Sequence, residues 1–258
     1  MEQFVLLEMR GEVAILTLNN PKARNALARE LILDLIQKID GLMSNKACRA
    51  VVLTGAEGTF CSGGDVSKMM SDRQLLDRRI WLKTAHLMVR GIMNSEKPVI
   101  AAVEGYAFGA GLSLAMAVDY VVAADNAKLC AAFAKVGLVA DMGLFYTLAQ
   151  RVGVPRAKRM IMLAEVVEAR EAERLGMVDR VLPAGQVLDA AVEVAKEYLD
   201  VAPLPLALTK AVYAKGCASL DDALYAEVDY QSMVALSEDH LGAAKAFREK
   251  RKPTFTGR

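Results

Sequence analysis

The chain has 258 residues, 54% of them apolar, enough for one large core or a core with an appendage. Its 32 basic and 31 acidic residues leave a net charge of +1, which gives no electrostatic basis for binding nucleic acid or an anionic membrane surface. Cys48, Cys61, Cys130 and Cys217 lie far apart, with no CxxC pair and no histidine at zinc spacing, so four reduced thiols in a cytoplasmic protein without a metal are expected.

The opening Met-Glu-Gln-Phe has neither the basic nor the apolar part of a signal peptide. Residues 4–9 and 13–18 read as two strands around an Arg10-Gly11-Glu12 turn, and Asn19-Asn20-Pro21 stops the second. Leu31, Leu35, Ile39 and Leu42 recur at helical spacing and predict a helix over 28–43. The unbroken β-branched and apolar run 50–54 predicts a strand covered on both faces. A glycine-rich loop over 55–65 follows, then a polar, Met-containing segment over 66–76 expected to be mobile and to line the acyl pocket, and a helix over 80–93.

Residues 98–103 form a second buried strand, followed by the small-residue loop 105–111 and a helix through Met116. The apolar stretch 105–118 is too short to span a membrane. Short strands are expected at 120–123 and 128–130, and helices at 142–150 and 168–175, the latter ended by Gly176 in a left-handed cap. Residues 177–182 are the last predicted strand. Beyond Pro183 the pattern is helical, with Ser219-x-x-Asp222 as an acidic capping-box variant and Ser237 as a second N-cap. The chain thus divides into an α/β body over 1–200 and a helical region over 201–258, with Pro203 and Pro205 at the joint.

Asp141 is the single charged residue between Lys135 and Arg151. A carboxyl in apolar surroundings is costly unless paired or protonated, and its pKa rises, which prepares it for proton transfer. The same position also suits a capping Asp before the predicted helix. Two loops, Phe60-Cys61-Ser62-Gly63-Gly64-Asp65 and Gly105-Tyr106-Ala107-Phe108-Gly109-Ala110-Gly111, put small residues where a strand ends. Such loops let a ligand approach the backbone, and two N–H groups aimed at one point make an oxyanion hole. Neither is a phosphate-binding Walker loop or a dinucleotide fingerprint.

Taken together, several segments resemble the crotonase, or enoyl-CoA hydratase/isomerase, superfamily. They are Asn20-Pro21-Lys22-Ala23-Arg24-Asn25-Ala26-Leu27, the run Val51 to Gly55 with the loop Phe60 to Asp65, and Lys97-Pro98 through Gly105 with its Gly-Ala-Gly turn. Ala172-x-x-x-Gly176-Met177-Val178 completes the set. The resemblance implies an α/β crotonase (ClpP-like) superhelix of ββα turns, a C-terminal helical trimerisation region and an acyl-CoA substrate, with no further cofactor. The assembly would be a homotrimer or a hexamer made of two trimers.

It maps the oxyanion-hole N–H donors onto Ser62 and Ala110, the latter serviceable if its φ is negative. It places Lys22, Ala23, Arg24 and Ala26 along coenzyme A, with Phe60, Gly63, Gly64, Asp65, Gly109 and Phe133 around the thioester. Phe247 and Lys250 match positions that reach the coenzyme of a neighbouring subunit; a solvated helix face is the alternative for Lys250.

Hydratases of this family hold water between two glutamates, where this chain has Ser113 and Phe133. That departure, with Asp141, makes the chain similar to the 1,2-epoxyphenylacetyl-CoA and Δ3,Δ2-enoyl-CoA isomerases, of phenylacetate and fatty-acid degradation. Asp141 would remove a proton and return it elsewhere, with Phe133, Leu138, Met142 and Phe145 excluding water. The alternatives are hydrolytic aryl-CoA dehalogenation with Asp141 as nucleophile and His86 as base, enoyl-CoA hydration, and a non-catalytic assembly or RNA-binding member of the fold. A helix-surface His86, a first-turn structural His240 and a packing Trp81 are the plain readings of those three residues.

Overall fold

The computed structural model describes residues 3–65 and 74–258. Val5–Arg10 (β1) and Val13–Leu18 (β2) form an antiparallel hairpin. Ala50–Gly55 (β3), Val99–Val103 (β4), Tyr120–Ala124 (β6) and Arg180–Leu182 (β9) extend it in parallel, giving the order β1-β2-β3-β4-β6-β9. Tyr106–Phe108 (β5), Lys128–Cys130 (β7) and Val166–Glu168 (β8) make a second, three-stranded sheet.

The long apolar runs are explained by burial on both faces of the large sheet. Alternate residues Ala14, Leu16, Val51, Leu53, Ala101, Val103, Val121 and Ala123 belong to one core. Val13, Ile15, Ala50, Val52, Ile100, Ala102, Val122 and Ala124 belong to another, shared with Val187, Ala191, Val194 and Ala195 of the helix Val187–Glu197 (α7). The first core takes Leu31, Leu35, Ile39 and Leu42 of Arg29–Ser44 (α1) and Ala85, Met88, Val89 and Ile92 of Leu75–Met93 (α2). All seven residues of Ala110–Met116 (α3) are buried.

Several elements differ from expectation. The helix α2 begins at Leu75, not at residue 80, so Leu75 and Leu76 are helical rather than mobile; residues 66–73, expected to line the acyl pocket, lie outside the described residues. Strands β5 and β8 were not anticipated, because three residues are too few to show a period. Leu144–Val152 (α4) starts two residues late, after a turn at Met142 and Gly143, both with positive φ. Val154–Leu163 (α5) follows directly. Met177 is not yet strand: its N–H and that of Val178 return to the Ala172 carbonyl to close Ala169–Arg174 (α6), with Gly176 at φ +79° as predicted.

Pro203–Lys215 (α8), Leu220–Val234 (α9) and Glu238–Arg248 (α10) follow. The capping box at Ser219 and Asp222 is formed in both directions, and the Ser237 hydroxyl accepts the His240 backbone N–H. None of the described helices is long and apolar enough to cross a membrane.

The helix α8 is fastened to the body by Lys210. Its ammonium meets the Asp119 carboxylate at 2.5 Å and donates to the carbonyl oxygens of Lys97 (2.9 Å) and Ile92 (3.3 Å). Burial pushes the Lys210 pKa down, while Asp119 opposes that shift. Asp119 also accepts the Val99 N–H, so one carboxylate joins α8 to the sheet. Removing one partner of a largely buried pair strands the other charge. Lys210→Met should therefore lower unfolding stability by roughly 2–3 kcal/mol in urea titration; an unchanged midpoint would mean that the tether carries no stability.

Candidate active site

Three segments meet at the ends of β2 and β3 and at the start of α3. Asn25 organises the first two. It is fully buried at φ +55°, a conformation Asn tolerates better than most residues. Its Oδ1 accepts the Asn20 N–H (2.9 Å), and its Nδ2 donates to the carbonyls of Ala56 (3.0 Å) and Thr59 (2.6 Å). The turn bearing Lys22, Ala23 and Arg24 is thereby held against the loop after β3. Asn25 was not singled out from sequence; its signal is an Asn four residues after a strand-ending proline. Lys22 and Arg24 are exposed, Ala26 is buried, and the Arg24 guanidinium stands 5.8 Å from the Tyr106 ring centre.

The second loop corrects the expected oxyanion donor. The Ser62 N–H is spent on the Arg24 carbonyl (3.0 Å) and the Ser62 hydroxyl on the Ala23 carbonyl (3.1 Å). Groups along an extended chain face alternate sides. Cys61 faces β5, with its N–H on Tyr106 and its carbonyl accepting Phe108. Ser62 faces the Arg24 turn, yet the Gly63 carbonyl also serves that side by accepting the Leu27 N–H (2.7 Å). The alternation breaks because Gly63 sits at φ +110°, where a Cβ would also lie 2.9 Å from the Phe108 carbonyl oxygen. The Gly64 N–H, next in the chain, has no partner among the described residues.

Ala110 opens α3 with a negative φ, and its N–H is one of the unpaired groups of a helix first turn. Gly109 is the N-cap and gives its own N–H to the Cys130 carbonyl (2.8 Å). Gly111 lets the helix sit directly on Cys61: a Cβ there would be 2.4 Å from the Cys61 carbonyl oxygen. Phe60, expected beside the ligand, is wholly inside the core and packs rather than contacts. Asp65 is half-buried at the loop's end. Burial pushes the Cys61 thiol up to about 12, so it is not a nucleophile at neutral pH.

Asp141 is not a cap, since α4 has Gly143 at its N-cap and no side-chain cap bond. Its Oδ1 is buried without a hydrogen-bond partner. Desolvation raises its pKa to about 6, with Arg78 on α2 pulling it back. The Ser113 hydroxyl, on α3 and fully buried, donates to the Asp141 backbone carbonyl at 3.0 Å. Asp141 thus lies beside the helix whose first residue is Ala110.

The expected water-excluding set is partly corrected. Phe133 and Met142 are buried, but Leu138 is 39% and Phe145 60% exposed, because the first turn of α4 directs Phe145 outward. His86 is half-buried on α2, and no hydrogen bond or ion pair joins it to Asp141. Trp81 packs on the core with the Arg29 guanidinium 4.9 Å from its ring centre. Phe247 is 84% exposed on α10, and Lys250 follows that helix at φ +54°. A cavity of about 1150 Å³ lies between α8 and the body, lined by residues such as Asp119, Gln150 and Tyr213; it contains none of Gly64, Ala110 or Asp141. No cluster of metal-ligating side chains occurs among the described residues.

The enoyl-CoA hydratase/isomerase family profile matches residues 8–258. The chain belongs to the enoyl-CoA hydratase/isomerase family. It is 34% identical to a short-chain-enoyl-CoA hydratase of Clostridium acetobutylicum, over 96% of this chain and 95% of that one. It is 32% identical to the 1,2-epoxyphenylacetyl-CoA isomerase of Escherichia coli K12, over the whole of both chains. The crystal structure of an enoyl-CoA hydratase from Polaromonas superposes with a TM-score of 0.92 at 33% identity, covering 97% of this chain and 99% of that one. The fold is therefore the crotonase fold of this enoyl-CoA hydratase/isomerase family.

The Asp141 shift has a consequence for stability in this family member. The folded pKa lies above the unfolded value, so the folded state binds more protons and stability falls as pH rises from about 4 to 6. Above that window the ionised carboxylate costs about 3 kcal/mol. Asp141→Asn should then be more stable than the parent by about that amount near pH ~8 and equal to it below pH ~4. Urea titrations at both pH values measure this, and a variant less stable than the parent at the higher pH would contradict it.

Proposed function

We propose that this protein is an acyl-CoA isomerase that moves a double bond from Δ3 to Δ2, or rearranges a ring, through a thioester enolate. The observation that carries the reading is one largely buried carboxylate, Asp141, whose Oδ1 has no hydrogen bond, together with Ser113 and Phe133, neither of which can act as a carboxylate base. A hydratase needs acids there to hold and activate water. The relatives include both hydratases and an isomerase, and the local chemistry at Asp141 supports the isomerase reading.

In this mechanism the N–H groups of Gly64 and Ala110 receive the thioester oxygen. Negative charge gathers on that oxygen as the α-proton leaves, and preorganised donors stabilise it there. Asp141 takes the proton from C2, and the C–H electron pair delocalises into a dienolate. The neutral carboxylic acid then returns the proton to C4, leaving the C2–C3 double bond conjugated with the carbonyl. The substrate's atoms are conserved, so one carboxyl group suffices. A pKa near 6 suits a base that must also act as an acid near neutral pH.

Lys22 and Arg24, with the backbone at Ala23 and Ala26, line the coenzyme A path. Phe247 and Lys250 of a neighbouring copy complete it in a cytoplasmic homotrimer or hexamer. The exposed apolar residues Leu220, Leu224, Tyr225 and Val228 of α9 supply the face such an assembly would cover.

Asp141→Asn should reduce isomerisation of 3-enoyl-CoA by about a thousandfold while leaving thioester affinity nearly unchanged. The parent should hydrate crotonyl-CoA more slowly than it isomerises a 3-enoyl-CoA. Steady-state kinetics with calorimetry test both; a variant that keeps its kcat, or a parent whose hydration is the faster reaction, would overturn the proposal.

A further inference from the structure

We propose that Ser113 is the positioning residue that sets the Asp141 carboxylate against the N–H of Ala110, through its bond to the Asp141 backbone. This rests on the reading of Asp141 as the proton carrier.

The carboxylate of Asp141 has no side-chain anchor. Its Oδ1 is buried without a hydrogen bond, and no hydrogen bond reaches the other oxygen among the described residues. Its position must come from the backbone that carries it. That backbone is an unfavourable one: Met142, which is not glycine, sits at φ +51°, and Gly143 follows at φ +82°. A side chain in this region persists only where its surroundings hold it.

Three contacts supply the hold. The Met142 side chain is buried in the core, the Leu144 N–H donates to the Asp141 carbonyl (3.2 Å), and the Ser113 hydroxyl donates to the same carbonyl (3.0 Å). The first two are local to the turn. Only the Ser113 bond runs to α3, the helix that presents the Ala110 N–H three residues earlier. The alternative acceptor for the hydroxyl, the Gly109 carbonyl, is 3.4 Å away and already takes the Ser113 N–H (3.1 Å). A hydroxyl has one proton, so the shorter bond to Asp141 is the one it makes. The base's backbone is therefore tied to the short, fully buried helix that presents the Ala110 N–H.

Ser113→Ala removes the donor, and Ser113→Cys keeps nearly the same volume with a weak donor. Both should lower kcat for 3-enoyl-CoA isomerisation by about ten- to a hundredfold, the effect of a small misplacement, with KM within about twofold. The base limb of the kcat pH profile should move to lower pH, because a released Asp141 can turn towards water. Asp141→Asn is assayed alongside. If it keeps its activity, the reading of Asp141 fails and the positioning role falls with it. If it is inactive while both Ser113 variants keep the parent's kcat and pH limb, only the positioning role is lost. A fall in kcat with the pH limb unmoved would mark Ser113 as structural and also overturn the proposal. Should the Ala variant not fold, the Cys variant decides alone.

Discussion

Everything around the site follows from one unfavourable act: a carboxyl group is largely buried with no hydrogen bond on Oδ1. Asp141 loses hydration, gains no hydrogen bond on Oδ1, and answers by binding its proton more tightly. A chain can hold such a group only if the rest of the fold is stable enough to bear the cost. The two cores on either face of the six-stranded sheet provide that reserve. The turn through Met142 and Gly143 adds a smaller cost of its own, of about 1–2 kcal/mol for the non-glycine residue. Both costs fall where we propose the chemistry to lie, which is the usual location of stored strain.

The complementary half of the proposed site is made of backbone rather than side chains. Donors fixed by peptide geometry do not reorganise when charge appears, so their value depends on the loops that aim them. Asn25 bonds one turn to the next, Gly63 breaks the alternation of the loop after β3, and Gly111 allows α3 to rest on Cys61. Each acts on geometry, and none needs to touch a substrate.

The sequence made the large elements legible. The run 50–54 reads as a doubly covered strand because its residues feed two different cores, and Ser219 and Asp222 announce their helix start. The buried acid was also legible, since Asp141 stands alone among apolar residues. Three things were not. The strands β5 and β8 carry too few residues for a period. The orientation of Phe145 depends on where α4 begins, which the left-handed turn at Met142 delays by two residues. The choice between Ser62 and Gly64 as donor is a matter of which way a peptide faces, and only the hydrogen bond from Ser62 to Arg24 reveals it. Sequence shows which residues are small; it does not show the direction of their N–H groups.

The central claim is that Asp141 is a desolvated, unpaired carboxyl group able to hold and release a proton near neutral pH. The most direct measurement is a carbon-13 NMR titration of aspartate-labelled protein, with the Asp141 resonance assigned by its loss in Asp141→Asn. The account predicts a midpoint near 6 for that resonance, above the ordinary aspartate value of about 4. A midpoint near 4 for Asp141 would mean that the carboxyl is solvated or paired, and the account would be contradicted.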